Sequence, residues 1–445
     1  MAVDGEKLGN AEVLDAGVVD VERGGLVTGA DEGGMHSGVK RGSLSPAFGT
    51  CLFVALTLAS SLNTFAQQPA QAAPPAIHTN LASLPQTLAQ SPLPGGCVAR
   101  TRGAAVEVQQ PFGYANVTQR QPYTVDTWQP IGSVSKTVIG LALVTAADQG
   151  LVQLDAPVSP LVGFAVGNPA RRSTDKAAPI TLRQLAQHTS GIVDSEAGYQ
   201  VAAYEKGRTD PQRPRRALGD YLAAYLRPGG RLYQRAHFAD AAPGTRFNYS
   251  NVGSALAAYA LERASGQPFD RYATATVLAP LGLFESAWFM PAERRAQAAT
   301  LYTAERQPVP PYLLATYPDG GLRSTCGDLT RLLLAWNAAL DGNAPAPLSA
   351  AALPVLKALR DAMAPQFTPG HAPPGLPARE PNQGLFFAIR KDGSVGHTGS
   401  DDGVSVFLFL DPATRVGRLL MTNIDISADP ALPPVAAAIW QALAE

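Results

Sequence analysis

Lysine is scarce in this chain of 445 residues, which has seven lysines among its 35 basic residues. Because 36 acidic residues bring the formal net charge to −1, the chain lacks the basic excess typical of proteins that bind nucleic acid or anionic membranes. It also lacks an HExxH motif, CxxC pairs and cysteine–histidine clusters at metal-ligand spacing. The sequence therefore predicts no nucleic-acid partner, no metal site and no other cofactor.

Cysteine is almost as rare, with Cys51, Cys97 and Cys326 the three in the chain. Cys51 lies in a segment that we expect to be removed on export. In an oxidising compartment a disulfide between the other two is permitted. The sequence does not show that they meet, and we expect two buried thiols.

The N-terminal region has the composition of segments outside a folded domain. Residues 1–34 are Gly-rich and acidic, which predicts a disordered or non-native leader, with translation starting at Met35. Residues 35–66 combine a basic pair, a short apolar core and the sequence TFA at 64–66, as in a secretory signal peptide. The alternative is a membrane anchor, but a span needs about 20 apolar residues. We expect a periplasmic or secreted protein with no membrane span after signal cleavage.

Composition changes again after residue 66. Residues 67–93 are rich in Ala, Pro and Gln, which predicts a linker, and we expect the folded domain to cover 94–445. Strand patterns come first, and the apolar stretch at 137–148 predicts a buried helix. Residues 181–300 show mostly helical patterns, and an antiparallel meander and a final helix follow. This order predicts one α/β unit that carries an all-helical insertion.

The spacing S-x-x-K occurs at 37–40, 133–136 and 173–176. In the middle copy Gly132 allows a tight entry and an apolar helix follows. Ser133 would then lie in the first helical turn near unpaired backbone N–H groups, with Lys136 on the same face. The helix dipole disfavours a cation there by about 0.3–1 kcal/mol. Lys136 either extends to solvent or is held beside Ser133 to accept its proton.

Two further motifs follow along the chain. The sequence YSN at 249–251 lies between a predicted turn and a predicted helix, and HTG at 397–399 lies between strand patterns. Taken singly, each is more often structural than functional.

In this order the three motifs resemble those of the serine hydrolases of the penicillin-recognising fold. The most similar group is related to class C β-lactamases and includes D-Ala-D-Ala carboxypeptidases, D-aminopeptidases and β-lactamase-like esterases. The likeness covers roughly residues 94–440 and includes LRQLAQHTSGI at 182–192 and GGLRST at 320–325. It implies an α+β, β-lactamase/transpeptidase-like fold, with an antiparallel sheet flanked by helices and an all-helical subdomain at about 166–300.

The resemblance also implies roles for individual residues. Ser133 would be the acylated nucleophile, Lys136 its proton partner and Tyr249 a second acid/base. Substrate contacts would come from Asn251, His397, Thr398 and Gly399, and the oxyanion hole from the backbone N–H groups of Ser133 and Ser400.

His397 stands where class C β-lactamases usually carry lysine. A histidine with an unperturbed pKa near 6.5 is mostly neutral at pH 7, so it offers no permanent cation to the carboxylate of a β-lactam. We therefore expect an exported serine hydrolase of peptidase or esterase type, acting on a small-molecule or peptide substrate. The alternatives are a β-lactamase proper and a binding or sensor module that is acylated without turnover. The missing G-x-S-x-G and G-K-[ST] motifs argue against an α/β-hydrolase and a P-loop protein.

Overall fold

The computed structural model describes residues 80–167, 179–207, 213–289, 291–344, 348 and 350–445. The predicted leader, the predicted signal peptide and residues 67–79 of the predicted linker lie outside these residues. Within the described ranges no helix is long and apolar enough to cross a membrane.

Strands lie at both ends of the described chain and helices lie mainly between them. The strands are β1 (Gly95–Arg102), β2 (Ala105–Asn116), β3 (Gln121–Pro122), β4 (Gln129–Pro130), β5 (Tyr204–Lys206), β6 (Tyr312–Leu314), β7 (Arg323–Ser324), β8 (Asn382–Gln383), β9 (Ala388–Ile389), β10 (Val395–Asp401), β11 (Val404–Asp411) and β12 (Val416–Thr422). The α-helices are α1 (Leu84–Ala89), α2 (Ser135–Asp148), α3 (Val158–Val162), α4 (Leu182–Ala186), α5 (Leu218–Leu226), α6 (Asn251–Ser265), α7 (Phe269–Ala273), α8 (Cys326–Asp341), α9 (Leu353–Met363) and α10 (Leu432–Ala442).

The main sheet has the strand order β3-β2-β1-β12-β11-β10-β9-β8, and every neighbouring pair in it is antiparallel. Strand β11 is buried on both faces, which explains why its sequence VSVFLFL is a nearly unbroken apolar run. Because successive side chains point to opposite faces, Val406 and Leu408 enter one core while Phe407 and Phe409 enter the other. The predicted antiparallel sheet flanked by helices is confirmed.

Each face of the sheet is covered by helices from a different part of the chain. Helix α8 packs on β1, β11 and β12, and α2 lies behind it in the larger core against α6 and α9. On the other face, α10 places Trp440 against Phe407 and Phe409, with ring centroids 6.1 and 6.2 Å apart. Helix α2 is therefore enclosed on nearly all sides, as its uniformly apolar sequence predicts.

The packed chain extends N-terminal of the predicted start near Pro94. Helix α1 lies inside the predicted linker, and its Leu84 and Leu88 are buried in the core that contains Trp440. The spacing of these leucines, four residues apart, places both on one face of the helix. The Ala/Pro/Gln-rich composition of residues 67–93 concealed this short apolar face.

The expectation of two buried thiols is wrong. Cys97 on β1 and Cys326 at the start of α8 form a disulfide, with Cα atoms 6.1 Å apart and a sequence separation of 229. Both side chains are fully buried. The pairing depends on the packing of α8 across the sheet, which the sequence pattern does not reveal.

Candidate active site

Ser133 lies in a tight turn, Gly132–Val134, immediately before α2. The helix proper starts at Ser135, so Ser133 precedes it rather than lying in its first turn. Gly132 has a φ of +52°, and a Cβ on it would lie 2.8 Å from the backbone nitrogen of Ser400. Glycine is required there because the turn passes directly against strand β10.

Lys136 is fully buried one helical turn beyond Ser133. Its Nζ donates hydrogen bonds to Ser133 Oγ at 2.9 Å, Asn251 Oδ1 at 2.7 Å and the backbone oxygen of Asp319 at 2.8 Å. Three N–H donors meeting three oxygen acceptors is the pattern of an ammonium group. The side chain therefore faces the serine hydroxyl rather than solvent.

Asn251 is held in place by the start of α6. The preceding residue, Ser250, caps the helix by accepting a hydrogen bond from the Gly253 amide at 2.9 Å. Asp194 accepts from the Asn251 amide at 2.6 Å, the Val252 amide at 3.1 Å and the Ser250 hydroxyl at 2.7 Å. A carboxylate suits this position because the helix N-terminus is positively polarised, although burial raises the pKa of Asp194.

Tyr249 stands beside this group with 39% of its surface exposed. The Nζ atom of Lys136 lies 5.1 Å from the centroid of its ring. The ring also packs against His188, with centroids 4.4 Å apart. Tyr249 is thus a partly exposed neighbour of the buried amine.

His188 is a residue of this cluster that the sequence reasoning did not assign. It is buried with a φ of +54°, and its Nδ1 accepts a hydrogen bond from the Ser250 amide at 3.2 Å. Burial holds its pKa well below the ordinary value, and the charge of Lys136 acts in the same direction. A neutral ring is therefore fixed beneath Tyr249. The stretch LRQLAQHTSGI that contains it was the available signal.

His397 lies on β10, opposite Leu408 of β11. Its Nδ1 donates to the backbone oxygen of Thr398 at 2.5 Å, and its ring centroid is 6.2 Å from that of Tyr249. Burial, aided by the charge of Lys136, lowers the pKa of His397 to about 3. Its imidazole is therefore neutral at pH 7 by a wider margin than the unperturbed histidine pKa near 6.5 would give.

Strand β10 passes directly against the turn that carries Ser133. A Cβ on Gly399 would lie 2.0 Å from the backbone oxygen of Ile131 and 3.3 Å from the backbone nitrogen of Ser133. Only glycine permits so close an approach of strand and turn. The backbone nitrogen of Ser400 consequently lies next to the Gly132–Ser133 turn.

Ser133 opens onto a cavity of about 380 Å³. Of the predicted residues, Ser133, Asn251 and Ser400 line it, while Lys136 lies behind Ser133. The acidic residues in the wall are Glu196, Asp401, Asp402 and Asp425; the basic residue in the wall is Lys206, which pairs with Asp402 at 3.6 Å. Among the lining residues that the structure describes, the carboxylates therefore outnumber the cations.

The family model described as Beta-lactamase matches residues 81–439 of the chain. Among curated proteins, the D-alanyl-D-alanine-carboxypeptidase/endopeptidase AmpH of Escherichia coli (strain K12) is 32% identical over 209 residues, 46% of this chain and 48% of AmpH. Penicillin-binding protein 4* of Bacillus subtilis (strain 168) is 24% identical over 208 residues, 46% of this chain and 41% of that protein. The matches thus span about half the length of these relatives.

Solved structures share the fold. The octameric penicillin-binding protein homologue from Pyrococcus abyssi has a TM-score of 0.60 and 24% identity, covering 80% of this chain and 75% of that chain. A class C β-lactamase has a TM-score of 0.60 and 22% identity, covering 82% and 95%. The D-alanine carboxypeptidase AmpC from Burkholderia cenocepacia has a TM-score of 0.58 and 21% identity, covering 81% and 98%. The expected β-lactamase/transpeptidase-like fold is confirmed.

Proposed function

Since the chain belongs to the β-lactamase family of penicillin-recognising serine hydrolases, we propose that it hydrolyses an amide or ester through an acyl-enzyme on Ser133. The observation that carries the proposal is the 2.9 Å hydrogen bond between Lys136 Nζ and Ser133 Oγ at the edge of the cavity. A serine hydroxyl is a weak nucleophile unless an adjacent group accepts its proton. Burial and two further oxygen acceptors hold the amine of Lys136 at the distance that this transfer needs.

The reaction begins with attack of Ser133 Oγ on the substrate carbonyl carbon. The hydroxyl proton passes to the base formed by Lys136 and Tyr249, while the carbonyl oxygen becomes an oxyanion bound by the backbone N–H groups of Ser133 and Ser400. Collapse of this intermediate breaks the bond to the leaving group, which takes the proton. Water then attacks the acyl carbon and releases the acid and free Ser133. Since Lys136 donates three hydrogen bonds at rest, it must first release one proton to water before it can accept the proton of Ser133.

The charges around the cleft favour peptidase or esterase activity over β-lactamase activity. His397 is neutral at pH 7, and the cavity wall carries more carboxylates than cations. A substrate carboxylate would meet repulsion there, because like charges interact strongly where water is partly excluded. Amides and esters that are uncharged at this wall are therefore the expected substrates, with Asn251 as the donor or acceptor to a substrate amide. The word endopeptidase in the name of AmpH supports a peptide substrate that is cleaved at an internal amide.

Export is part of the proposal. The disulfide between Cys97 and Cys326 supports it, since such bonds persist mainly in oxidising compartments. We infer a periplasmic or secreted enzyme with an N-terminal signal peptide.

A substrate panel tests the function. It contains a p-nitrophenyl ester, an internal D-amino-acid amide, a peptide ending in D-Ala-D-Ala and a chromogenic cephalosporin, each with wild type and Ser133→Ala. We expect turnover of the ester or internal amide to exceed that of the two carboxylate-bearing substrates, and Ser133→Ala to lose it. Faster cephalosporin turnover would identify a β-lactamase, and stable acylation without turnover of any substrate would identify a sensor module.

A further inference from the structure

Asp319 is a buried acid next to the amine of Lys136 that the chemistry above does not use. It lies between β6 and β7 and is completely buried. Its backbone oxygen accepts the third hydrogen bond of Lys136 at 2.8 Å, so the residue that carries this carboxyl group contacts the ammonium directly. Buried carboxyl groups are rare unless they are paired, because burial disfavours the charged form.

The carboxyl group is only partly satisfied. Its Oδ2 accepts a hydrogen bond from the hydroxyl of Tyr199 at 3.2 Å, and its Oδ1 has no hydrogen-bond partner among the described residues. Tyr199 also lines the cavity onto which Ser133 opens. A buried oxygen left unpaired costs free energy, and a nearby positive charge is the interaction that offsets this cost.

The other buried acid near Lys136 is already committed. Asp194 accepts three hydrogen bonds from the start of α6, including the Asn251 and Val252 amides. In the described part of the chain no carboxylate oxygen lies within 4.0 Å of Lys136 Nζ, whose three acceptors are neutral oxygens. Of these two buried acids, Asp319 is therefore the one whose carboxylate is still free to interact with the charge of Lys136.

The charge of Asp319 depends on pH in the working range. Burial raises its pKa to about 7, against the opposing effect of the positive charge of Lys136. The titratable groups that face it come from several elements and are Lys136 on α2, Asp194 and Tyr199 before α5, Tyr204 on β5, Tyr221 on α5 and Asp401 on β10. Lys136 is the cation of this set.

We propose that Asp319 is a positioning residue whose carboxylate is the counter-ion of Lys136 and strengthens it as the base for Ser133. This inference rests on the proposed function. When Lys136 takes the serine proton it becomes an ammonium in a buried site, and the carboxylate of Asp319 stabilises that charge as it forms. The same attraction holds the proton on Lys136 at rest, so the charge of Asp319 also sets the pH at which the free amine appears.

The test is the pH profile of acylation in Asp319→Asn, which keeps the backbone oxygen and the side-chain shape but removes the charge. The readout is the second-order rate constant for labelling by a neutral fluorophosphonate probe, which reports acylation alone. We expect the acid limb, where the labelling rate rises with pH, to move to lower pH by about one unit, because a weaker base loses its proton at lower pH. The rate constant on the plateau above it should fall about tenfold, because a weaker base accepts the serine proton less readily.

Asp328→Asn is the matched control. Asp328 is equally buried, but its carboxylate accepts from the Glu285 amide and the Ser286 hydroxyl, and it pairs with Arg331. Its loss should lower stability without moving the acid limb. A limb that moves equally in both variants would make the effect a general loss of structure and overturn the proposal.

Tyr199→Phe is the second variant, for the case that Asp319→Asn does not fold. It removes the hydrogen bond to Oδ2, so the carboxylate forms less readily and the limb should move in the same direction by a smaller amount. An unmoved limb in a folded Asp319→Asn protein, or in Tyr199→Phe if Asp319→Asn is unfolded, would overturn the inference. If the limb does not move but Ser133→Ala is not labelled, the role of Asp319 is wrong and the proposed function stands. If Ser133→Ala is labelled, the proposed function and the role of Asp319 are both wrong.

Discussion

The amine of Lys136 lies 2.9 Å from the hydroxyl of Ser133 at a point where neither the helix dipole nor the apolar surroundings favour a cation. Within the described chain the amine is compensated by hydrogen bonds to three oxygens, those of Ser133, Asn251 and Asp319. Those oxygens come from three separate parts of the chain. A buried cation lowers stability, and here contacts between distant parts of the chain hold it in place. Such an arrangement is characteristic of a functional site.

Replacing Lys136 with alanine should slow acylation of Ser133 by about 10²-fold or more, because the hydroxyl loses its proton acceptor. The measurement is the rate of labelling by a neutral fluorophosphonate probe at pH 7.5. Lys357→Ala is the control: Lys357 is exposed on α9, where it pairs with Asp148 and Asp361, and its loss should leave the rate unchanged. A near-normal rate in Lys136→Ala would reduce Lys136 to a structural residue.

Replacing His397 with lysine should change which substrate charge the cleft accepts. The neutral imidazole would give way to a cation, so the ratio of kcat/KM for N-succinyl to N-acetyl D-alanine p-nitroanilide should rise several-fold. These two substrates share the scissile bond and the leaving group and differ by one carboxymethyl group, which carries the negative charge. An unchanged ratio in a folded variant would mean that the wall formed by β10 does not face the charged end of the substrate.

Acid should destabilise the fold through its buried histidines. The pKa of His397 is about 3 in the folded chain, against about 6.5 when unfolded. Below pH 6.5 the unfolded chain therefore binds a proton that the folded chain does not, and the free energy of unfolding falls until pH 3. At pH 5 this one group contributes a loss of about 2 kcal/mol, and His188 acts in the same direction.

Denaturant melts of His397→Asn between pH 7.5 and 4.5 measure this effect. The variant should lose less stability than wild type over that range, whereas replacing the exposed His371 with asparagine should leave the slope as in wild type. If the unfolding free energies of wild type and His397→Asn fall in parallel with pH, folding does not lower the pKa of His397.

The disulfide should contribute strongly to stability. Replacing both Cys97 and Cys326 with serine should lower the free energy of unfolding by about 2–5 kcal/mol, because the bond closes a loop of more than 200 residues in the unfolded chain. Since both sulfurs are buried, mild reductant should not reproduce the effect below the unfolding transition. A double variant with the same free energy of unfolding as wild type would indicate that the disulfide is not formed.

The residues that could be predicted from sequence are those whose geometry is local. Ser133 and Lys136 are three residues apart at a helix start, so their proximity follows from helical spacing alone. The strands β10 to β12 likewise follow from apolar runs separated by turn residues. These signals need no knowledge of the rest of the chain.

The residues that were missed depend on long-range packing. Asp319 looks like an ordinary turn residue in YPDGG, and its complete burial arises because the segment between β6 and β7 closes over Lys136. His188 and Asp194 act through backbone amides at the start of α6, some 60 residues away. Side-chain periodicity carries no information about such partners.

Intact-mass analysis of the fluorophosphonate-treated protein, followed by peptide mapping, tests the central claim most directly. Wild type and Ser173→Ala, which alters another S-x-x-K copy, should each gain one adduct on Ser133, and Ser133→Ala should gain none. A stoichiometric adduct on folded Ser133→Ala, or an adduct mapped to a different serine in wild type, would contradict the account.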